Sequence, residues 1–373
     1  MRKNILIFGH GYATQFIDIS NQYTQIFNKD KYNVTVAYLI GEPDEQIRKK
    51  HLAENVIFIN SPKKSTRGLK LIALKQMLAL HREKNFEIVI CHRYKPGYIM
   101  LLVSLFRKIP LLFTVMHELG TLNHLMRKIM IATLAKDNAI FAGVSNAVRD
   151  DLRKTIWNIP KERIITLYNM IDTDLTEPKF LSPEQARLEL NISPNHFVFG
   201  TIGRLAKNKD QKTLLTAFAS IKSQCPNSKL VIIGDGQLET ELKNQAEKLK
   251  IAEDVIFTGF LADGYRLMKA FDVYISSSIQ EAFGRVLLEA MLAKLPIIAT
   301  RVNGVPEVVG DCGILIDPAN PEVLSEKMLT LYQSSKLKEI GELGYQRVTH
   351  HFSLQRFKEI FWNLDGVKEK EIT

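Results

Sequence analysis

Short apolar runs recur along the whole chain, each followed by a stretch with helical spacing. The runs are rich in Val, Ile and Phe and do not alternate with polar residues. Strands of this kind are covered on both faces, as in parallel sheets. In the first half the predicted strands are Asn4–Phe8, Val34–Leu39, Val56–Ile59, Ile88–Cys91, Leu111–Val115, Ala139–Val144 and Ile164–Leu167. In the second half they are Val198–Ile202, Lys229–Ile233, Val255–Phe257, Val273–Ser276, Ile297–Ala299 and Gly313–Ile316. The alternation predicts an α/β fold of doubly wound, Rossmann-like units.

A polar, turn-rich segment divides the chain into two parts. We expect a first domain at 1–170, a linker at 171–195 and a second domain at 196–352. Within the linker, Ser182 followed by Pro183 predicts the start of a short helix, with Ser as the N-cap. Ser353 is the expected cap of an amphipathic last helix, and we expect 353–373 to return to the first domain.

The length and the composition fit two separate cores. A chain of 373 residues is long enough for two domains. Cys91, Cys225 and Cys312 are scattered, which argues against a disulfide framework and a structural zinc site. The apolar run Ile5–Phe8 is too short for a signal-peptide core, and no run approaches the ~18 residues of a membrane-spanning helix. We therefore expect a cytoplasmic protein with free thiols.

Positive charge is concentrated in the first half of the chain. Residues 1–172 carry 26 Lys and Arg against 14 Asp and Glu, whereas the remainder carries 24 against 26. This asymmetry suggests an anionic partner for the first half, either an anionic membrane surface or nucleic acid, although a merely soluble basic surface also fits. We found no aromatic-interleaved basic motif and expect no nucleic-acid partner.

The segment from Glu281 to Glu289 carries the strongest chemical signal. It follows the predicted strand Val273–Ser276, and a helix is expected to begin near Phe283. The N-terminus of a helix has unpaired N–H groups and suits a phosphate, and Gly284 lets the backbone approach closely. The two carboxylates would lie about 9 Å apart along the axis and could hold hydroxyl groups on either side of a diphosphate. The alternative is that both are solvated surface residues.

Further polar groups follow the neighbouring strands. Arg204 and Lys209 follow one strand, Gly234 begins a Gly-Asp-Gly turn after the next, and Phe260 follows the third. In open α/β sheets, ligands bind beyond the carboxyl ends of strands. Arg204 and Lys209 could clamp a diphosphate, although cations at strand ends are common on a basic protein.

Taken together and in order, these segments resemble the donor domain of the family 4 glycosyltransferases, which have the GT-B architecture of two Rossmann-like domains facing a cleft. The resemblance covers about residues 200–307. It is carried by Gly203-Arg204-Leu205 with Lys209, Ile233-Gly234-Asp235-Gly236, Val255-Ile256-Phe257-Thr258-Gly259, Glu281 with Glu289, and Thr300 through Glu307.

The resemblance implies a role for each matching residue. Arg204 and Lys209 would bind the diphosphate, Glu281 the sugar hydroxyls and Glu289 the ribose. The backbone at Phe260 and Leu261 would contact the base. The remaining expected contacts with the donor are Gly203, Gly234, Phe283, Gly284 and Arg285. Members of the family retain the anomeric configuration and work without a metal, because the cations stabilise the leaving nucleotide.

The first half resembles the family less closely. Gly9-His10-Gly11 occupies the position of a glycine-rich loop, without the usual doubled glycine, and we expect Gly9 and Gly11 to contact a ligand. His117 ends a predicted strand where relatives carry a histidine near the reacting sugar. A packed or capping histidine is the alternative.

Two other segments allow competing interpretations. Asp172-Thr173-Asp174 resembles a DxD metal site, but its place between the domains favours a turn, and no metal site is expected. In the basic stretch 62–84, Leu69, Ile72, Ala73, Met77 and Leu80 form a stripe among Lys63, Lys64, Arg67 and other cations. It predicts either a helix that covers the sheet or a surface that docks on a membrane.

We therefore expect a retaining glycosyltransferase with no cofactor and no metal. It would use a nucleotide sugar, with UDP favoured, and a glycan or glycolipid acceptor in lipopolysaccharide-core, capsule or exopolysaccharide assembly. It would act in the cytoplasm, with peripheral contact at the inner face of the membrane. Transfer to a soluble small molecule is the alternative, and nucleic-acid binding is a remote one.

Overall fold

The computed structural model describes residues 2–62 and 70–368, which form two units. The first unit comprises the described residues up to Tyr168 and those from Phe357, and the second comprises Asn169–Arg356. Each is an α/β unit with one parallel sheet, as predicted. Among the described residues, no helix is both long and apolar enough to cross a membrane.

The first unit contains a seven-stranded parallel sheet in the order β3-β2-β1-β4-β5-β6-β7. Its strands are β1 Lys3–Gly9, β2 Tyr32–Tyr38, β3 Asn55–Phe58, β4 Ile88–His92, β5 Leu111–Met116, β6 Ala139–Gly143 and β7 Ile164–Thr166. Its helices are α1 Thr14–Gln25, α2 Glu45–Lys49, α3 Leu71–Lys84, α4 Tyr94–Phe106, α5 Leu125–Leu134 and α6 Asn146–Thr155. The central strands are buried throughout, because helices cover both faces of a doubly wound sheet.

The second unit contains a six-stranded parallel sheet in the order β10-β9-β8-β11-β12-β13. Its strands are β8 Phe197–Ile202, β9 Ser228–Ile233, β10 Val255–Gly259, β11 Val273–Ser276, β12 Ile297–Thr300 and β13 Ile314–Ile316. Its helices are α7 Thr173–Thr176, α8 Pro183–Glu189, α9 Gln211–Ile221, α10 Glu239–Lys248, α11 Arg285–Leu292, α12 Val305–Val309, α13 Pro321–Tyr332 and α14 Leu337–His351. All thirteen predicted strands are confirmed, with ends that differ by at most two residues.

The segment expected to link the domains packs into the second unit. The hydroxyl of Ser182 accepts from the backbone N–H of Gln185, and Pro183 begins α8, as predicted. Arg187 of α8 forms an ion pair with Asp272 at 2.8 Å, and the N–H of Leu181 donates to the carbonyl of Arg266. Residues 171–195 therefore extend the core of the second unit rather than crossing open solvent.

The last helix, α15 Leu354–Trp362, carries the chain back to the first unit. The hydroxyl of Ser353 accepts from the N–H of Arg356, as the capping prediction requires. Phe357 packs edge-on against Tyr23, and the indole N–H of Trp362 donates to the carbonyl of Ile26 at 3.0 Å. The end of the expected helix, 369–373, lies outside the described residues.

The predicted apolar stripe of the basic stretch is only partly correct. Residues 63–69, with Leu69 and three of the predicted cations, lie outside the described residues. Helix α3 buries Ala73, Met77 and His81, whereas Ile72 is exposed. The buried side chains are spaced by four residues and form one row on the helix, and Ile72 projects from another side.

Gly341 and Gly344 of α14 both lie close to residues in or just after α11, so the effects of a side chain at the two positions can be compared. A Cβ on Gly341 would lie 2.0 Å from the carbonyl oxygen of Lys294, whereas the nearest atom to a Cβ on Gly344 would be in the flexible side chain of Met291, at 3.3 Å. A backbone carbonyl group cannot move aside as a methionine side chain can. Substitution of Gly341 by alanine should therefore be tolerated less well than substitution of Gly344, although both residues are helical.

We predict that Gly341→Ala destabilises the second unit by about 1–3 kcal/mol, because α14 must move away from Lys294. Gly344→Ala should be neutral or stabilising, since alanine favours a helix over glycine by roughly 0.5–1 kcal/mol. Thermal unfolding followed by circular dichroism measures both changes. Equal melting temperatures for the two variants would contradict the packing described here.

Candidate functional site

Three loops at the carboxyl edge of the second sheet are hydrogen-bonded to one another. The N–H of Gly203 donates to the carbonyl of Ile233, and the N–H of Leu205 donates to the carbonyl of Asp235. The N–H of Gly234 donates to the carbonyl of Gly259. The loops that follow β8, β9 and β10 therefore form one continuous backbone surface.

Gly234 and Gly236 are required by the closeness of these loops. Gly234 has a φ of 134° and Gly236 a φ of 156°, values that other residues rarely adopt. A Cβ on Gly234 would lie 2.0 Å from the carbonyl oxygen of Gly203, and one on Gly236 would lie 2.4 Å from that of Leu205. Glycine is thus required at both positions of the Gly-Asp-Gly turn for the backbone to pack, independently of any contact with a ligand.

Lys209 and Glu281 form an ion pair between the loops that follow β8 and β11. Both side chains are largely buried, with 23% and 18% of their surface exposed. The hydroxyl of Ser277 donates to the carbonyl of Lys209, and the N–H of Ile279 donates to the carbonyl of Asn208, both at 2.9 Å. Two of the predicted catalytic residues are therefore in direct contact and held on a rigid backbone.

Asn303, in the loop after β12, positions Glu281 from the other side. Its Oδ1 accepts from the N–H of Glu281 at 3.2 Å, and the N–H of Gly304 donates to the carbonyl of Glu281. Asn303 has a φ of 41°, a left-handed conformation that asparagine tolerates better than most residues. Sequence reasoning did not single out Asn303, although it lies within the matching segment Thr300 through Glu307.

Helix α11 begins two residues later than predicted. Gly284 has a φ of 88° and is the N-cap, so the first helical residue is Arg285 rather than Phe283. The ring of Phe283 is buried against Phe352, with centroids 5.7 Å apart, which leaves only its backbone to face a ligand. Glu289 lies four residues into the helix, about 6 Å along the axis from its first residue.

Both carboxylates of this region lie near the hydroxyl of Tyr274. Burial raises the pKa of Tyr274, and the negative charges of Glu289 and Glu281 raise it further. The hydroxyl itself donates to the carbonyl of Ile202 at 3.4 Å. The two carboxylates expected to hold hydroxyl groups thus act electrostatically on the same buried hydroxyl.

The remaining predicted residues of this edge differ in exposure. Arg204 is exposed, and its carbonyl accepts from the side chain of the buried Gln211. Phe260 has 67% of its surface exposed at the end of β10, and Leu261 is half-buried beside it. An exposed phenylalanine at a strand end is available for contact with a flat apolar group.

In the first unit, the loop Gly9-His10-Gly11 follows β1 as predicted. A Cβ on Gly9 would lie 2.9 Å from the ring of Tyr38, so this glycine admits the tyrosine of the adjacent strand. Burial, and to a smaller extent the positive charges of Lys95 and Arg93, lowers the pKa of His10 to about 4. His10 is therefore neutral at pH 7.

His117 follows β5 and contacts a second histidine. Its Nε2 lies 3.0 Å from Nδ1 of His92, the last residue of β4, and its ring packs edge-on against Phe16. Burial lowers the pKa of His92 to about 3, so His92 is the neutral member that orients His117.

His117 and His10 line one cavity of about 170 Å³ within the first unit. The other lining residues are Arg93, Tyr94, Lys95, Met116, Glu118, Thr121 and Arg127. Sequence reasoning missed Arg93 and Lys95, although they follow β4 directly. The rule that ligands bind beyond the carboxyl ends of strands would have found them.

The Asp172-Thr173-Asp174 segment was expected to form a turn, but it caps and begins a short helix. The side chain of Asp172 accepts from the N–H of Leu175 at 3.0 Å and begins the short helix α7. Over residues 2–62 and 70–368, no three His, Cys, Asp or Glu side chains are grouped as metal ligands. Cys91, Cys225 and Cys312 are free thiols, as expected.

Family models match both halves of the chain. The model of Glycosyltransferase Family 4 matches residues 24–175, and that of Glycosyl transferases group 1 matches residues 183–347. The chain belongs to the family 4 glycosyltransferases. Its two Rossmann-like units are those of the GT-B architecture, and the resemblance inferred from the motifs is confirmed.

Several named glycosyltransferases are similar to this chain in sequence. CapM of Staphylococcus aureus, a capsular polysaccharide biosynthesis glycosyltransferase, is 26% identical over 76% of this chain and 77% of its own. A Campylobacter jejuni N-acetylgalactosaminyltransferase named for a diphospho-undecaprenol-linked sugar is 28% identical over 73% of each chain. The match to the EpsD protein of Bacillus subtilis, 33% identical, spans only about half (47%) of each chain.

Solved structures share the fold over nearly the whole chain. A glycosyltransferase from Rickettsia africae has a TM-score of 0.83 at 20% identity and covers 99% of this chain and 98% of its own. Anabaena HepE, crystallised in complex with UDP, has a TM-score of 0.78 at 22% identity and covers 97% and 98%.

We predict that Lys95→Ala raises the pKa of His10 from about 4 toward the ordinary 6.5. Removing the ammonium relieves repulsion of the imidazolium, and the smaller side chain admits water. Histidine ring shifts followed by NMR against pH measure the change, with the His10→Gln spectrum for assignment. Lys128→Ala, which removes a cation outside the cavity lining, is the control. An unchanged His10 titration in Lys95→Ala would contradict the geometry.

Proposed function

We propose that this glycosyltransferase moves a sugar from a nucleoside diphosphate, with UDP favoured, to a glycan acceptor carried on a lipid. The observation that carries the proposal is the Lys209–Glu281 ion pair at the carboxyl edge of the second sheet, next to the start of α11. The UDP complex of HepE, a protein with the same fold, supports the choice of nucleotide.

The second unit has the charges that a nucleotide-sugar donor requires. Arg204, Lys209 and the N–H groups at the start of α11 would neutralise the diphosphate. Binding of the diphosphate would draw Lys209 toward the phosphate oxygens and leave Glu281 to accept hydrogen bonds from sugar hydroxyls. Glu289 would accept from the ribose, and the backbone at Phe260 and Leu261 would contact the base.

The proposed reaction retains the configuration of the anomeric carbon. The bond between that carbon and the departing phosphate oxygen breaks while the acceptor oxygen bonds to the same face. The proton of the acceptor hydroxyl passes to the departing phosphate oxygen, so no strong side-chain base is needed. Lys209 and Arg204 stabilise the charge on the leaving nucleotide in place of a metal ion. His117, oriented by His92, would contact the reacting sugar.

We predict that Lys209→Ala and Glu281→Ala each lower transfer at least 100-fold while the fold persists, because each removes a group that contacts the reacting atoms. Lys212→Ala is the control, since Lys212 pairs with Glu241 on the exposed side of α9 and α10. A panel of nucleotide sugars, assayed by release of the nucleoside diphosphate, identifies the donor and measures turnover. Turnover of either variant within threefold of wild type would refute the assignment.

The first unit carries a surface suited to an anionic membrane. Helix α5 exposes Leu125 and Met126, with 67% and 63% of their surfaces accessible. Lys128 lies in the same helix, which contains no acidic residue. Apolar side chains beside cations favour docking at a bilayer surface. We propose that this surface brings the enzyme to a lipid-linked acceptor at the inner face of the cytoplasmic membrane, in capsule, exopolysaccharide or lipopolysaccharide-core assembly.

We predict that the full chain co-sediments with anionic vesicles at low salt and much less at high salt, because screening weakens the attraction. Leu125→Glu combined with Met126→Glu should reduce binding at least fivefold. Leu188→Glu in the second unit, where 77% of the leucine is exposed, is the matched control and should have no effect. Absence of wild-type binding to anionic vesicles at low salt would exclude the membrane proposal and favour a soluble small-molecule acceptor.

A further inference from the structure

The cavity of the first unit concentrates positive charge. Arg93, Lys95 and Arg127 line it, and among the lining residues in the described part of the chain the sole carboxylate is that of Glu118. Glu118 forms an ion pair with Arg93 at 3.1 Å, but 68% of its side-chain surface is exposed to solvent. Three lining cations against one solvated carboxylate leave a net positive cavity.

Lys70 adds a fourth positive charge behind the lining. Its side chain is buried, and its ammonium lies 4.3 Å from the ring centroid of Tyr98. Burial, and to a smaller extent repulsion by Lys95 and Arg127, lowers the pKa of Lys70 to about 8. The positive charge of Lys70 therefore adds to that of two cations that line the cavity.

The backbone at Arg93 is strained where it meets the cavity. Arg93 has a φ of 75° and a ψ of 165°, a conformation that is unfavourable for a residue other than glycine. Its Nε is buried and makes no hydrogen bond within the described part of the chain. Its guanidinium lies 4.5 Å from the ring centroid of Phe16. The strained backbone and the aromatic contact hold the arginine at the cavity.

The N-terminus of α4 opens at the same place. Arg93 is its N-cap and makes no capping hydrogen bond with its own side chain, and the first turn contains no acidic residue. The helix has 13 residues, so its partial positive charge adds to that of Lys95. Backbone N–H groups, a forked guanidinium and an ammonium together are the donors that bind phosphate oxygens.

We propose that this cavity binds a phosphoryl group of the acceptor. The acceptor is thus a sugar that carries a phosphate, either free or joined through a diphosphate to a lipid. The identification of the ligand as the acceptor rests on the proposed function. The binding of an anion in this cavity does not. Arg93, Lys95 and Arg127 are then residues that determine acceptor specificity.

Inorganic pyrophosphate is the probe for the anion, titrated calorimetrically into the full chain. The Lys209→Ala background removes a cation of the proposed donor site, so that the remaining binding reports the first unit. In that background Lys95→Ala and Arg127→Ala should each weaken pyrophosphate binding at least tenfold, and Arg127→Lys should weaken it less. Lys128→Ala, next to Arg127 but outside the lining, should leave it unchanged.

Three results would overturn the inference. In the first, the Lys209→Ala substitution alone abolishes all pyrophosphate binding. In the second, the Lys95→Ala and Lys128→Ala proteins bind pyrophosphate equally well. In the third, pyrophosphate is displaced by malate, a dicarboxylate, but by no phosphate ester. UDP binding, measured separately on the Lys95→Ala and Lys209→Ala proteins, distinguishes the proposed donor site of the second unit from the proposed anion site of the first. An unchanged UDP affinity of the Lys209→Ala protein contradicts the donor site but not the anion site.

The source of the phosphoryl group is identified by competition at the Lys95-dependent site. A hexose 1-phosphate that displaces pyrophosphate supports a soluble acceptor. Neutral phosphatidylcholine vesicles are tested with and without a polyprenyl diphosphate. Displacement of pyrophosphate only by the vesicles that contain the polyprenyl diphosphate supports a lipid-linked acceptor. Displacement by neither contradicts the assignment of a phosphorylated acceptor.

Discussion

Parallel pairing of buried strands is the constraint on which the rest of this structure depends. Because every strand of each sheet runs in the same direction, every loop that leaves a carboxyl end reaches the same edge. Residues separated by about 70 positions, such as Lys209 and Glu281, meet for this reason. The strands set where the polar loops converge.

The two edges are built from the same topology and differ in their charges. At the edge of the second unit, Lys209 and Glu281 neutralise each other, and the surrounding backbone is tied into one network by Gly203, Gly234 and Asn303. At the edge of the first unit, Arg93, Lys95 and Arg127 line a cavity together with Glu118. The first arrangement suits a donor with both phosphates and hydroxyl groups, and the second suits an anion.

Most of the fold could be predicted because continuous Val-, Ile- and Phe-rich runs leave few alternatives to buried parallel strands. The donor motifs could be predicted because each follows a strand directly. The start of α11 could not, since only the left-handed backbone of Gly284 delays it to Arg285. The burial of Phe283 depends on Phe352, far along the chain. The buried row of α3 was misjudged because spacing alone does not say which side of a helix meets the sheet.

By itself, the sequence determined the class of fold, the order of the elements and the family, because these follow from local patterns of apolar residues and short motifs. Only the tertiary structure decided which side chains act together. The pairing of His92 with His117, the support of Glu281 by Asn303 and the clustering of Arg93, Lys95 and Arg127 all join residues from different loops. Such contacts depend on distances across a sheet edge, and no local pattern in the chain encodes those distances.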